Sequence, residues 1–269
     1  MRFCSAAVAL ALTAGGTLAV PACAWSQTAA NPTFPLSPPP DTVAPYVPAA
    51  GDVGHGLRWY EPLAVLGGIG LLSTFDQPVA NHFRDHRSVG GDNLANAWAR
   101  VGTPLVYGPV TVGLIAGGLI SKNQDVTKAG ARLAFALALA GVADEGLKTV
   151  VGRERPNANG SAFDFDPGHF DTAFPSGHTT MAFAMAASLA DDVHPTWAKV
   201  GLYGVATGVA VSRVYQQQHW VSDVVGGAAL GILSAKFAGG KLSIFGLRAP
   251  TFLMNSGRPG IGYQFSFHE

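Results

Sequence analysis

Six apolar segments with the spacing of α-helices occupy most of the chain between Gly56 and Gly240. They are 58–75, 92–120, 126–151, 178–191, 197–213 and 220–237. No strand-like alternation of apolar and polar residues separates them, so the sequence predicts an all-α protein. We expect a helical bundle of about six core helices, with the 92–120 segment broken near Pro104 or Pro109.

The composition suits helices that pack closely in protein or in lipid. Only 13% of the residues are charged and 34 are glycine, whereas an average soluble domain is about 25% charged. Most of the apolar runs are shorter than the roughly 20 residues of a transmembrane helix, which favours a soluble bundle. The low charge and the apolar stretch 105–120 suit a bilayer. A soluble bundle and a membrane protein therefore both remain open. The balance of 17 basic and 17 acidic residues gives no reason to expect a nucleic-acid partner.

The N-terminal residues are typical of an export signal. Arg2 precedes an apolar run at 6–20, and small residues at 22–24 fit a signal peptidase site. We therefore expect residues 1–24 to be a cleaved signal peptide, with an uncleaved anchor as the alternative. Both cysteines of the chain fall in this segment, so the mature protein would have no disulfide and no thiol chemistry.

The rest of the chain divides into three parts. Residues 25–56 are rich in Pro and Ala and are expected to form a disordered linker. Residues 57–240 hold the apolar runs and the motifs described below, and form the predicted functional domain. Residues 241–269 are a C-terminal extension, in which 261–267 alternates like a short strand or an ordered tail.

Lys148 and Arg155 mark the end of a predicted helix. The run that contains Lys148 begins near Val126, and Pro156 forces the backbone out of the helix directly after Arg155. Two cations at a helix end can surround one anion, because guanidinium and ammonium groups both suit phosphate oxygens. The alternative is a basic helix C-terminus that interacts with the helix dipole.

Ser176, Gly177 and His178 lie at a predicted helix start, after Pro175. Free backbone N–H groups at a helix N-terminus bind anions. Gly177 has no side chain, so its N–H could approach a phosphate oxygen closely, and the Ser176 hydroxyl could donate as well. His178 at the rim could give a proton to a leaving oxygen. The alternative is an ordinary serine N-cap next to an exposed histidine.

Arg213, His219 and Asp223 form the third group. Ser212 and Arg213 end one apolar run, and His219 opens the next. His219 and Asp223 are four residues apart, so on a helix they share a face. A carboxylate there can accept the Nδ1 proton, which leaves Nε2 as a nucleophile. The alternative is a surface His–Asp pair.

Together the three groups resemble the three-part signature of the type 2 phosphatidic acid phosphatase superfamily. This superfamily also includes bacterial class A non-specific acid phosphatases and vanadium haloperoxidases. The matching positions are Lys148, Arg155, Pro156, Pro175, Ser176, Gly177, His178, Ser212, Arg213, His219 and Asp223. The resemblance extends over about residues 58–240 and implies a metal-independent phosphatase that acts through a phosphohistidine. It is much less specific for the substrate.

The resemblance also implies the role of each residue. His219 attacks phosphorus and Asp223 holds it, while His178 protonates the leaving alcohol and then helps to activate water. Charge on the equatorial oxygens is stabilised by the phosphate-binding residues Lys148, Arg155, Ser176, Gly177 and Arg213. No cofactor is expected, and no Asp/Glu/His cluster with the spacing of a metal site appears.

Several functions stay open at this stage. The substrate could be a soluble phosphomonoester, as for an acid phosphatase, or a lipid phosphate such as an isoprenyl pyrophosphate or a lipid A phosphate. A vanadate-dependent haloperoxidase is the second enzyme class. It is disfavoured because the chains of the haloperoxidases in this superfamily are much longer. An anion-binding membrane scaffold is the non-enzymatic alternative. Four residues of the intervening loop could line the entrance or be merely solvated: Asp164, Asp166, His169 and Asp171.

We expect an exported protein of the periplasm or cell envelope, and the sequence leaves its membrane association and oligomeric state open. A cleaved leader followed by six spans would instead place the site in the cytoplasm. An external site requires an uncleaved leader, fewer spans or a soluble bundle. The loop charges do not decide, because Arg84 and Arg87 fall on one predicted side while Arg153 and Arg155, on the other, belong to the site.

Overall fold

The computed structural model describes most of the chain after residue 55. The described residues are 56–58, 60–158, 160–168, 172–244, 247, 249–255 and 258–262. The predicted signal peptide and nearly all of the predicted linker lie outside them.

Eight α-helices follow one another in the described part of the chain. They are α1 (Tyr60–Leu72), α2 (Asp76–Asp85), α3 (Val89–Val101), α4 (Pro104–Ile120), α5 (Gln124–Val151), α6 (Gly177–Ala190), α7 (Thr196–Tyr215) and α8 (Val221–Ala238). Since α1 with α2 and α3 with α4 each form one helical stretch, the bundle has six helical segments. The predicted all-α fold is confirmed. An antiparallel hairpin follows, with β1 (Thr251–Asn255) paired to β2 (Arg258–Gly262).

Three details differ from the sequence prediction. The helix α2 was not predicted, because its sequence is largely polar and buries only Asp76 and Ala80. The break in the second segment falls at Gly102 and Thr103, just before Pro104, while Pro109 lies inside α4 without ending it. The hairpin strands lie earlier in the extension than the predicted 261–267, most of which is outside the described residues.

The helices α6 and α8 form the centre of the bundle. A Cβ at Gly231 would lie 2.3 Å from the backbone oxygen of Thr180, and one at Gly227 would lie 2.7 Å from that of Ser176. Only glycine fits at such distances, as in helix pairs that use a Gly-x-x-x-Gly spacing. The close contact between α6 and α8 therefore holds the start of α6 against the first turns of α8.

The bundle has two ends, and the predicted site residues lie at one of them. Arg84, near the end of α2, donates to the backbone oxygen of Pro156 at 3.3 Å. The prediction that Arg84 and Arg87 lie on the side opposite Arg153 and Arg155 is therefore wrong. We call the end that contains Pro156 the site end, and the other the far end.

Ion pairs tie the helices together at the far end. Asp192, directly after α6, pairs with Arg132 of α5. Its neighbour Asp191 binds Lys236 of α8 and Lys241, both at 2.8 Å.

Four helical stretches are long and apolar enough to cross a membrane. They are Tyr60–Asp85, Val89–Ile120, Gln124–Val151 and Val221–Ala238. Large apolar side chains on them are exposed, among them Leu105 at 82% and Ile120 at 84%. An apolar surface of this kind suits contact with lipid. These features support the membrane association that the sequence left open.

Candidate active site

Lys148 lies in the last turn of α5 and is held there by an acid one turn earlier. Its Nζ is 2.8 Å from Asp144 Oδ2 and 3.0 Å from Glu145 Oε1. Asp144 is buried and also accepts from the Thr180 hydroxyl at 3.0 Å. Gly152 ends the helix in the left-handed conformation (φ 63°), and its N–H donates to the Lys148 oxygen. The i, i+4 spacing of Asp144 and Lys148 was a signal that the sequence analysis missed.

The start of α6 brings the other two groups of the signature together. The backbone N–H of Ser176 donates to the Asp223 backbone oxygen at 3.1 Å. A Cβ at Gly177 would lie 3.0 Å from Asp144 Oδ2 and 3.1 Å from Lys148 Nζ. A side chain at 177 would therefore press on the Asp144–Lys148 pair. The Ser176 hydroxyl is buried and accepts from Thr179 Oγ1 at 3.0 Å.

His219 is buried in the link between α7 and α8, and a backbone carbonyl orients it. Its Nδ1 lies 2.7 Å from the Ala173 oxygen, and a carbonyl can only accept. The geometry therefore assigns the proton to Nδ1 and leaves Nε2 with a free lone pair. Ala173 was missed, because a backbone acceptor in a distant loop gives no residue-type signal.

Asp223 lies beside His219 but makes its shortest contacts elsewhere. Asp223 Oδ2 is 3.9 Å from His219 Nδ1 and accepts the backbone N–H of Trp220 at 2.7 Å. Oδ1 accepts from Arg153 Nη1 at 2.6 Å. The proposed action of Asp223 on the imidazole remains a prediction, and its direct partners are the Trp220 backbone and Arg153.

Neutral side chains hold the two signature arginines. Arg155 Nη1 donates to Gln218 Oε1 at 2.8 Å, and Arg213 Nη1 donates to Gln216 Oε1 at 2.6 Å. The buried Nε of Arg213 has no hydrogen-bond partner among the described residues. The amide oxygens of these glutamines help to orient the two guanidinium groups. Both glutamines were missed because they lie in a short polar link without a motif.

Burial and nearby positive charge lower the pKa of both histidines. Burial, followed by Arg213 and Arg155, lowers the pKa of His219 well below its ordinary value. Burial, followed by Arg213, Lys148 and Arg155, lowers the pKa of His178 to about 4. His178 is in the first turn of α6, which is not one of the four membrane-length stretches. The same three cations thus lower the pKa of both imidazoles. The residues predicted at separate helix ends therefore lie close enough to interact.

The acidic loop between the first two groups has a local structural role. Asp164 Oδ2 accepts the Ser161 N–H at 2.6 Å, and its backbone oxygen accepts the Glu154 N–H at 3.0 Å. The Asp166 N–H donates to the Gly152 oxygen at 2.7 Å. His169 and Asp171 lie outside the described residues, and the role of this loop at the entrance stays a prediction.

Comparison with known proteins agrees with this geometry. Residues 129–239 match the model of the PAP2 superfamily. The chain is 36% identical over 102 residues to the lipid A 1-phosphatase of Porphyromonas gingivalis, over 37% of this chain and 21% of that protein. It is 30% identical over 116 residues to the putative undecaprenyl-diphosphatase YbjG of Escherichia coli, over 43% of this chain and 56% of that protein. The chain thus spans about a fifth and just over half of the length of these curated relatives.

A solved structure shows the same fold. It is the crystal structure of the first transmembrane PAP2 type phosphatidylglycerolphosphate phosphatase from Bacillus subtilis, with a TM-score of 0.55 and 22% identity over 67% of this chain and 95% of that chain. The segment that matches the family model contains all three signature groups. The similarity to the PAP2 superfamily thus covers residues 129–239, the part of the chain in which the predicted site lies.

Proposed function

We propose that this protein is a membrane-associated phosphatase that hydrolyses lipid phosphates or lipid diphosphates through a phosphohistidine on His219. The observation that carries the proposal is the state of His219. Its Nδ1 is bound to a carbonyl, and its pKa is lowered by burial and by nearby arginines. An imidazole that is neutral, oriented and surrounded by cations is suited to attack a phosphoryl group.

The first step transfers the phosphoryl group to the enzyme. His219 Nε2 forms a bond to phosphorus while the bond to the leaving oxygen breaks, and His178 gives that oxygen a proton. Charge on the three equatorial oxygens is stabilised by Lys148, Arg155 and Arg213, with the N–H groups at the start of α6. These cations supply the positive charge that Mg²⁺ supplies in kinases.

The second step releases phosphate and restores the enzyme. His178, now neutral, accepts a proton from water as the water oxygen attacks phosphorus. The bond between phosphorus and His219 Nε2 breaks, and inorganic phosphate leaves. The same residue thus acts as acid in one step and as base in the next.

A lipid substrate is supported by the surface of the bundle and by the relatives. The site end lies at the ends of α5 and α8, which are two of the four membrane-length stretches. A headgroup could reach such a site while its hydrocarbon chains stay beside the exposed apolar faces. The two curated relatives are named for the lipid A 1-phosphate group and for undecaprenyl diphosphate.

The distribution of charge supports a site on the periplasmic side. Between residues 56 and 244, three basic residues near the site end lie outside the phosphate cradle (Lys148, Arg155 and Arg213) and the buried Arg153: Arg84, Arg87 and Arg100. Seven in the same part of the chain lie toward the far end: Arg58, Lys122, Lys128, Arg132, Lys199, Lys236 and Lys241. Loops rich in Lys and Arg stay in the cytoplasm, so this excess favours a cytoplasmic far end.

The test compares a lipid phosphate with its soluble headgroup. Purified full-length protein in mixed micelles is assayed for phosphate release from dioleoyl phosphatidate and from glycerol 3-phosphate, both in excess EDTA. We expect turnover to survive chelation and kcat/KM to be higher for the lipid. Loss of activity with EDTA would contradict the metal-independent mechanism, and equal kcat/KM values would contradict the preference for lipid.

Two histidine variants test the nucleophile. His219→Ala should lower kcat by about 1,000-fold or more, because it removes the group that forms the covalent bond. His194→Ala is the matched control, since His194 is exposed between α6 and α7 at the far end. Near wild-type turnover in His219→Ala would show that another group attacks phosphorus.

A further inference from the structure

Arg153 is the centre of a buried network that lies behind the nucleophile. Its side chain is 4% exposed. Nη2 lies 2.7 Å from Asp76 Oδ2, and Nη1 lies 2.6 Å from Asp223 Oδ1. Nη1 also donates to Ser222 Oγ at 2.6 Å, while Nε and Nη2 donate to the Ala162 oxygen. The Arg153 guanidinium is thus occupied by protein groups, although the residue is only two positions before the phosphate-binding Arg155.

Asp76 brings the start of α2 into this network. It is fully buried. Its Oδ1 accepts the backbone N–H of Ser222 at 2.9 Å, and its Oδ2 accepts the Ser222 hydroxyl at 2.5 Å. Asp76 therefore holds both Arg153 and the first turn of α8. It also lies well before residues 129–239, which match the family model.

Two chains of contacts lead from Arg153 to His219. The Arg153 backbone oxygen accepts the Ala173 N–H at 2.7 Å, and the Ala173 oxygen is the partner of His219 Nδ1 at 2.7 Å. The Arg153 guanidinium binds Asp223, whose Oδ2 is 3.9 Å from the same Nδ1. The backbone and the side chain of one residue thus position both acceptors that face the imidazole.

The charge of the network matches the needs of the reaction. Burial raises the pKa of Asp223 to about 7. Above that pH the two carboxylates and one guanidinium leave one net negative charge, buried beside Nδ1. When Nε2 bonds to phosphorus, the imidazole ring becomes positively charged. A fixed negative charge in a buried site stabilises that developing positive charge. Without Asp76, the Arg153–Asp223 pair would be neutral.

We propose that Asp76 and Arg153 are positioning residues for His219, so that α2 completes the catalytic site. The proposal rests on the proposed function of His219 as the nucleophile. Neither residue touches the substrate. Both act by fixing the imidazole and by keeping a net negative charge behind it.

The test is Asp76→Asn in the full-length protein, with Asp191→Asn as the matched control. Asp191 is likewise an acid paired with cations, Lys236 and Lys241, but it is only partly buried and lies at the far end. Three quantities are measured: kcat on dioleoyl phosphatidate, inhibition by phosphate, and inhibition by vanadate. Phosphate binding depends on the cationic cradle, whereas vanadate also takes a bond from His219 Nε2.

We expect Asp76→Asn to lower kcat and vanadate affinity together by about 10-fold or more, a loss typical of removing a partner that orients a histidine. Phosphate affinity should stay within about 2-fold of wild type, and Asp191→Asn should change none of the three. Unchanged kcat and vanadate affinity would overturn the proposal. Equal losses of phosphate and vanadate affinity would also overturn it, because they indicate a general collapse of the site.

A second variant covers the case in which Asp76→Asn does not fold. Ser222→Ala removes the hydroxyl that lies between Asp76 and Arg153, and the same three measurements apply with the same readings. The proposed function is tested separately by the wild-type protein. If wild type hydrolyses no phosphate ester, the proposed function fails, whereas an active wild type with fully active variants overturns only the positioning role.

Discussion

At the residue scale, the proposed role of His178 as general acid requires its protonation to change when the substrate binds. A general acid needs a proton, yet burial and three nearby cations lower the pKa of His178 to about 4. A phosphate dianion placed among those cations favours the protonated imidazole. Substrate binding therefore raises the pKa of His178 toward the working pH. The proton is taken up where the leaving oxygen will need it.

This argument predicts that phosphate shifts the titration of His178. Below about pH 4 His178 should be protonated even in the free enzyme, and between pH 5 and 8 it should be protonated only when phosphate is bound. The measurement is a ¹⁵N-histidine NMR titration with and without phosphate, with His178 assigned by His178→Gln among the eight histidines of the chain. His194, at the far end, is the internal control. An unchanged His178 titration would contradict the coupling.

The side chains that we propose for the chemistry could be named from the sequence, but several groups that hold them could not. Lys, Arg, His and Ser at helix ends are few, and each has its own reactivity, so their order and spacing are informative. The support comes from groups without such a signature. These are the Ala173 carbonyl, the Gln216 and Gln218 amides, and Asp76, which is 143 positions before His219 in the chain. Only the folded backbone brings them to the site.

At the scale of elements, the contact between α6 and α8 sets the geometry of the phosphate cradle. Gly227 and Gly231 let α8 lie directly against the backbone of α6 at Ser176 and Thr180. Thr180 in turn donates to Asp144, which pairs with Lys148. A change in the distance between α6 and α8 would therefore also displace Lys148 at the end of α5.

This contact predicts that Gly231→Ala is costly. The new methyl carbon would lie 2.3 Å from the Thr180 oxygen and 2.8 Å from the Ala184 nitrogen. Overpacking of this kind costs about 1–3 kcal/mol of the free energy of unfolding. The matched control is Gly113→Ala in α4, where no atom lies within 4 Å of the new carbon. Thermal unfolding in one detergent should show a lower midpoint for Gly231→Ala alone, and equal midpoints would contradict the close packing.

The element boundaries show where sequence patterns work and where they fail. The predicted apolar runs agree within a few residues with α1, with α3 and α4 taken together, and with α5 to α8, because a continuous apolar face specifies a helix strongly. The helix α2 has only a short apolar face, on which Val79 and Phe83 pack against α7 and α8. Buried polar contacts of Asp76 also hold it in place. Pro109 does not end α4, which agrees with the tolerance for proline in membrane helices.

At the scale of the whole molecule, the two ends differ in the number of basic residues that lie outside the proposed site. The site end uses four of its cations in the phosphate cradle and the buried network, which leaves three others. The far end has seven, and those that form ion pairs still count, because acidic residues contribute little to membrane orientation. The sequence could not separate these sets, since it did not place Arg84 beside Pro156.

This difference predicts that the site end faces the periplasm. Both native cysteines, Cys4 and Cys23, can be replaced by serine to give a background without thiols. Asp85→Cys then reports on the site end and Gln124→Cys on the far end. Both positions are exposed, since Asp85 is the last residue of α2 and Gln124 is the first residue of α5. In intact bacterial cells, a membrane-impermeant maleimide should label Asp85→Cys, and Gln124→Cys should be labelled only after the inner membrane is permeabilised. The thiol-free background controls for labelling elsewhere. Reversed labelling would place the phosphate cradle in the cytoplasm, as expected for a cleaved leader followed by six spans, and would contradict the orientation inferred from the charges.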